Sequence, residues 1–222
     1  PEYLFWLLPV AAYFLFPNYL VLGSQVAIAG LFALSLDVIL GYAGLVSLGH
    51  AAFFGFGAYT AGLISKYGWG EPFSGLLIAG AAAALLGWLS SFMIVRVQHL
   101  ALIMITMGVG FLLHEAANRA SFITGGDDGL QGVNIWPLFG RFSFDLYGRT
   151  AYIYAVVVLF LVFLAVRRLI HSPFGLSLRG IRENLRRMPA IGAPVQHRLQ
   201  TAYTIAAAIA GVAGALLAQT TQ

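Results

Sequence analysis

The chain has 222 residues, 60% of them hydrophobic and 9% charged, with a formal net charge of +4 and no cysteine. A soluble domain has about a quarter of its residues charged, so this chain lacks the polar shell that would solvate a globular core, and its mean hydropathy of +0.86 makes lipid the expected solvent. Without thiols there is no disulfide framework, thiolate zinc site or cysteine nucleophile, and the basic residues gather in one inter-helix loop, which reads as membrane topology and not as nucleic-acid binding.

A spanning helix needs about 20 mostly apolar residues. Runs of this kind fall at 4–16, 19–40, 45–65, 73–95, 100–117, 151–170 and 199–218. The expected fold is therefore all-α, a polytopic transmembrane helix bundle of about seven spans forming one domain over 1–222. The first run is short, begins without Met and lacks the basic start of a signal peptide. Gln222 follows directly on an apolar, small-residue run, so both ends are expected to be incomplete.

Asp37 is the one acid inside an apolar run, and burying it unpaired would be costly. An ion pair, a protonated carboxyl bonded to backbone, or an interfacial position would each resolve this. A proton relay would need a second group, for which His50 is the nearby candidate. The stretch after it, Gly41-Tyr-Ala-Gly-Leu-Val-Ser-Leu-Gly-His50 and on to Tyr59, is too glycine-rich for an ordinary span. A tight bend at 41–44 or a broken, re-entrant helix fits there. Ala51 with Gly55, and Ala58 with Gly62, have the small-xxx-small spacing that packs helices closely. The stretch thus reads in two ways: as helix packing, or as a pathway to which Ser47 and His50 contribute polar lining.

Between the fifth and sixth runs, Thr124-Gly-Gly-Asp-Asp-Gly-Leu-Gln-Gly132 forms a turn-rich loop. Its residues Gly126, Asp127, Asp128 and Gly129 either only shape the loop or line a pathway mouth and meet an external partner. The paired carboxylates lack the distributed ligands of an EF-hand, so no metal is expected. The loop at about 171–198, with the end of the run before it, carries Arg167, Arg168, Arg179, Arg182, Arg186, Arg187 and Arg198 against the single acid Glu183, which makes it cytoplasmic. Counting back places 96–99 inside and 66–71 and 118–150 outside. Leu178, Ile181, Leu185 and Met188 recur at helical spacing, predicting an amphipathic helix over about 177–187, with Glu183 and Arg187 paired at i,i+4 and Pro189 ending it. Such a helix either rests on anionic headgroups or is gripped by a cytoplasmic protein.

No catalytic constellation emerges. Lys66 lacks the glycine loop of a phosphate-binding motif, His114-Glu115 alone makes no zinc site, and no Gly-x-Ser-x-Gly elbow occurs. The chain is expected to bind no cofactor of its own.

The stretch 34–60, the loop Ser121-Phe-Ile-Thr-Gly-Gly-Asp-Asp-Gly-Leu-Gln-Gly132 and the segment Gly180-Ile-Arg-Glu-Asn-Leu-Arg-Arg-Met-Pro-Ala-Ile-Gly192 together resemble the branched-chain amino acid ABC transporter permeases, most of all the M-type subunit for leucine, isoleucine and valine. The resemblance runs from about Tyr19 to Ala218. It implies an importer of a bacterial or archaeal inner membrane, in which this chain works with a second homologous permease, two cytoplasmic ATP-binding subunits and an external solute-binding protein. ATP would be hydrolysed on those partners. The family's coupling role falls on Arg182, Glu183, Asn184, Arg187, Ala190 and Gly192. Family members commonly continue a charged helix where this chain has Met188-Pro189, which implies a shorter coupling element. They also carry further hydrophobic segments beyond the position of Gln222. Related permeases handle urea, amides or small aromatic acids, so the resemblance constrains the solute weakly. A proton-coupled secondary transporter using Asp37 and His50 is the rival reading.

The arginine asymmetry makes a direct prediction. Cysteines placed singly at Ser177 and Asp145 should react with an impermeant thiol reagent from opposite sides of the membrane. Labelling of both from outside intact cells would overturn the topology.

Overall fold

A computed structural model describes residues 6–97, 100–126, 129–138, 148–185 and 187–221. Among these the secondary structure is helical, in the order α1 (Leu7–Leu15), a 3-10 turn (Pro17–Tyr19), α2 (Leu20–Leu36), a π-helical turn (Asp37–Tyr42), α3 (Ala51–Lys66), α4 (Pro72–Ile94), α5 (Leu100–Arg119), α6 (Ser121–Thr124), α7 (Arg149–Ile170), α8 (Pro173–Glu183), α9 (Arg187–Ala190) and α10 (Val195–Thr220). This is the expected all-α bundle.

By length and composition, five helices could cross a membrane: Pro17–Tyr42, Pro72–Ile94, Leu100–Arg119, Arg149–Ile170 and Val195–Thr220. Seven spans are not confirmed among the described residues, on two observations. The nine residues of α1 give a helix of roughly 14 Å, about half the hydrocarbon thickness. It packs on α7, where Trp6 meets the Phe160 ring edge-on at 4.7 Å and Tyr152 donates to the Pro9 carbonyl at 2.8 Å. The run at 45–65 is not one helix: residues 43–50 are non-helical and α3 itself has 16 residues.

α10 is the axis of the bundle. Ala202, Ala206, Ala207, Ala210, Ala213 and Ala215 are all fully buried along it. Its neighbours approach through glycine. On α4, which runs antiparallel, Gly87 faces Ala207 and Gly80 faces Val212. On the opposite side Gly57 of α3 lies on Gly211, where a Cβ would stand 2.2 Å from the Gly211 carbonyl oxygen. Gly211 is itself pressed on Ala83, so three helices meet at one point. Apolar lipid offers no hydrophobic drive for helix association, so van der Waals contact between close backbones must supply it. At the end away from the arginines, the buried Gln219 amide donates to the Pro72 carbonyl at 2.9 Å and accepts from the Tyr154 hydroxyl at 2.9 Å, which ties α10, α4 and α7 together.

The spacing Ala51/Gly55 expected at the helix contact is not the one used: a Cβ on Gly55 meets nothing, whereas one on Gly57 meets backbone. Gly57→Ala should therefore destabilise the detergent-solubilised protein by about 1–3 kcal/mol, the usual cost of overpacking. Gly55→Ala should be neutral or stabilise by about 0.5–1 kcal/mol through helix propensity. Thermal unfolding followed by fluorescence size exclusion distinguishes them, and equal midpoints for the two variants would refute the seam.

Candidate functional site

Three features coincide at the broken stretch between α2 and α3. The first is how α2 ends. Its last turn widens to π-helix, with the Ala43 amide donating to the Val38 carbonyl at 3.3 Å and the Leu45 amide to the Ile39 carbonyl at 2.9 Å. Gly44 then turns at φ 71°, the left-handed conformation that closes helices and favours glycine. The chain reverses and runs back into the bundle without helical hydrogen bonds.

The second feature is how this returning segment is held. The Leu48 amide donates to Thr106 Oγ1 at 3.2 Å, while the Thr106 hydroxyl donates its own proton to the Ile103 carbonyl at 3.0 Å. Gly49 lies so close to α5 that a Cβ would stand 1.8 Å from the Thr106 carbonyl oxygen. His50, 1% exposed, places Nε2 at 3.0 Å from Ser35 Oγ between the Phe32 and Phe53 rings. Ser35 donates to the Phe32 carbonyl at 2.6 Å, so its oxygen is left to accept from His50. This network assigns the proton to Nε2 and leaves Nδ1 a bare acceptor. Nδ1 and Ser47 Oγ are both buried and have no hydrogen-bond partner. Ser47 lies beside the Tyr203 hydroxyl, as does Ser90, without reaching hydrogen-bond geometry.

A groove of about 480 Å³ runs along the exposed face of this segment against α5, lined by Leu48, Gly49, Ala52, Tyr59, Gly110 and His114. A second, of about 530 Å³, lies on the far side of Gly55 and Tyr59, against Leu130, Gln131 and the end of α10. Ser47 and His50 stand behind the first groove's wall and not on it.

The third feature is the arginine-rich end. The apolar stripe is as the spacing predicts: Leu178 and Ile181 are buried, and Leu185 and Met188 pack partly against the core. The helix boundaries differ. α8 covers Pro173–Glu183 and stops because Asn184 turns extended, at φ −151° and ψ 89°. The Asn184 side-chain oxygen then accepts from the Arg187 amide at 3.0 Å, starting α9. Pro189 consequently sits inside α9 and does not end the amphipathic helix. Glu183 and Arg187 fall on different helices and form no ion pair, since the i,i+4 geometry requires an unbroken turn.

Arg182 turns back onto the bundle. Its guanidinium donates to the Gly41 carbonyl, its stem lies against Gly44, and Arg179 covers the Tyr42 ring with 5.2 Å to the centroid. Asp37 is exposed in the same polar cleft with Arg179, Arg182 and Glu183. Asp37 is thus not buried in the bundle and is no partner of His50. Glu183, Asn184, Arg187, Ala190 and Gly192 are exposed.

At the opposite end Gly125, Gly126, Gly129 and Gly132 all have positive φ, as the turn-rich loop implied. Asp127 and Asp128 lie outside the described residues. The loop crosses the end of α3, where Ser65 donates to the Asn134 carbonyl at 2.6 Å and the Trp136 amide to the Gly70 carbonyl at 2.8 Å. Thr106, Tyr203 and Gln219 are site residues that sequence reasoning missed. The signal for Gln219 was an amide directly after an apolar run. Thr106 and Tyr203 gave none, since either residue is unremarked in a span.

A family model described as "Branched-chain amino acid transport system / permease component" matches residues 18–222. The high-affinity branched-chain amino acid transport system permease protein LivM of Escherichia coli (strain K12) is 31% identical over 207 residues, covering 83% of this chain and 48% of that protein. LivM of Salmonella typhimurium (strain LT2) is 31% identical over 208 residues, with the same coverage of 83% and 48%. The chain therefore spans about half the length of these relatives. No solved structure matches it.

The hold on the returning segment is testable at Thr106. Thr106→Val keeps the shape but leaves the Leu48 amide without an acceptor, and should lower stability by about 1–3 kcal/mol. Thr106→Ser should retain most of it. Thermal midpoints of the purified variants decide, and a Val variant as stable as the parent would contradict the assignment.

Proposed function

This chain belongs to the branched-chain amino acid transport system permease family, and on that premise we propose that it is a permease subunit of an ATP-driven importer, passing branched-chain amino acids or similar small solutes across a bacterial or archaeal inner membrane. It works with a second homologous permease, two cytoplasmic ATP-binding subunits that carry the ATP, and an external solute-binding protein. The substrate is suggested by the relatives, whose names assign them to branched-chain amino acid transport.

The observation that carries this reading is the α8–α9 elbow. One side is buried against the bundle through Leu178 and Ile181, while the other presents Glu183, Asn184, Arg187, Ala190 and Gly192. Leu176 and Ile191 project from it at 62% and 69% exposure. Exposed aliphatic side chains among charges are a composition suited to a protein partner. An ATPase gripping this elbow would switch the permease between outward- and inward-open forms. The solute would follow the groove between α3 and α5, with Ser47 and His50 reaching it when the re-entrant segment shifts. Gly126, Asp127, Asp128 and Gly129 would meet the binding protein at the external mouth.

The rival reading, a proton-coupled carrier, has no support from geometry, since Asp37 is on the rim and His50 pairs with Ser35. Uptake of radiolabelled leucine into proteoliposomes separates the two. The complete complex should require ATP and both ATPase subunits, and should be indifferent to a protonophore. Uptake by the permease alone under an imposed pH gradient would overturn the proposal.

A further inference from the structure

The side chain of Arg182 does not share the outward direction of the rest of the elbow. Its guanidinium binds the carbonyl of Gly41, within the last π-helical turn of α2, and its Cγ lies where a Cβ on Gly44 would come within 3.0 Å. These two glycines are the root of the re-entrant segment. Arg179, one turn earlier on α8, covers Tyr42 between them. The elbow itself is tightly joined: Met188 of α9 packs on Gly180 of α8, where a Cβ would stand 2.9 Å from its sulfur. Movement of α9 therefore carries α8 with it, and α8 holds the segment by its root.

The segment is built to move. Between the Leu45 and Leu48 amides it has no regular hydrogen-bond ladder, and its far part is held by the Leu48–Thr106 bond and the Gly49 contact. Its tip buries two polar atoms with no partner, Ser47 Oγ and His50 Nδ1. Unpaired buried polar atoms are costly, so any rearrangement that brings them a partner is favoured. Although Ala43, Leu45 and His50 are buried, the segment has few backbone bonds, the feature of stretches that open before the regular helices around them.

We infer that Arg182 is a positioning residue that ties the α8–α9 elbow to the re-entrant segment 43–50, so that displacement of the elbow pulls on this segment and alters the surroundings of Ser47 and His50. The inference rests on the reading of the elbow as the ATPase-docking surface. It assigns Arg182 to the side of that device that reaches the bundle, since its guanidinium meets the Gly41 carbonyl, whereas Arg187 is joined to the elbow itself through the bond of its amide to Asn184.

The reporter is Val46→Cys, a half-exposed position within the segment of an otherwise cysteine-free chain. In the complete complex, the rate of its modification by a small methanethiosulfonate is measured with and without ATP, alongside ATP hydrolysis, ATPase-subunit retention and leucine uptake. With Arg182 present, ATP should change the rate by about fivefold or more, the lower range for coupled sites. Arg182→Ala should abolish that change and the uptake while the ATPase subunits stay bound and hydrolyse ATP. Arg182→Lys, which keeps a stem and a donor, should restore part of both. If Arg182→Ala does not assemble, Arg182→Gln replaces it, with the same loss expected. A full ATP-dependent change and full uptake in any assembled Ala or Gln variant would overturn the inference, as would a reporter insensitive to ATP in a complex that transports. A parent complex showing no ATP-dependent uptake would instead overturn the transport reading beneath it.

Discussion

In a lipid solvent every backbone amide and carbonyl must find its partner inside the protein, and the stretch 37–50 is where this chain has to meet that demand outside a regular helix. α2 does not simply stop. It widens to a π-turn, and the Ala43 and Leu45 amides are returned to the Val38 and Ile39 carbonyls. Three residues on, the Leu48 amide is taken by a side chain of α5. The Gly41 carbonyl, which would otherwise face the rim unpaired, is taken by Arg182 of α8. Each solution recruits a different element, and this is why breaking one helix draws α5 and α8 into the same local structure.

The same break requires backbones to approach closely, and glycine is placed accordingly. Gly49 against Thr106 and Gly57 against Gly211 put main chain on main chain. Neither position tolerates a Cβ without a backbone shift. The consequence is a close-packed seam of α10 with α3 and α4 beside a segment with few backbone hydrogen bonds, so that dense packing and sparse bonding are separated within one short stretch. That separation suits a permease, which must keep its bundle intact while a pathway opens and closes.

Much of this was legible in the sequence because its causes are local. The absence of a polar shell gave the membrane class, the density of glycine over 41–57 gave the break, and the spacing of Leu178, Ile181, Leu185 and Met188 gave the amphipathic face. What escaped depends on where a helix actually stops. Periodicity continued through Asn184, yet the extended backbone there divides the element into α8 and α9 and separates Glu183 from Arg187. Helical phase failed likewise at Gly55 and Gly57: both are small, but which one faces α10 is set by the starting point of α3 at Ala51, itself fixed by the long-range contact of Gly49 with α5. The partners of His50 and Arg182 lie 15 and 141 residues away, at separations no local pattern encodes.

The positions of the two titratable candidates bear on mechanism. A proton relay needs groups that exchange a proton through hydrogen bonds and can each be reached in turn. His50 is sealed between Phe32 and Phe53, with Nε2 engaged by Ser35. Asp37 faces the opposite way, into a cleft it shares with Arg179 and Arg182. Glu183 lines the same cleft. The π-turn that Asp37 begins folds its side chain over Gly41, where any larger residue would collide with Oδ1. The acid is thus placed against the turn at the root of the segment, apart from His50 and, among the described residues, with no hydrogen-bonded route between the two along which a proton could pass.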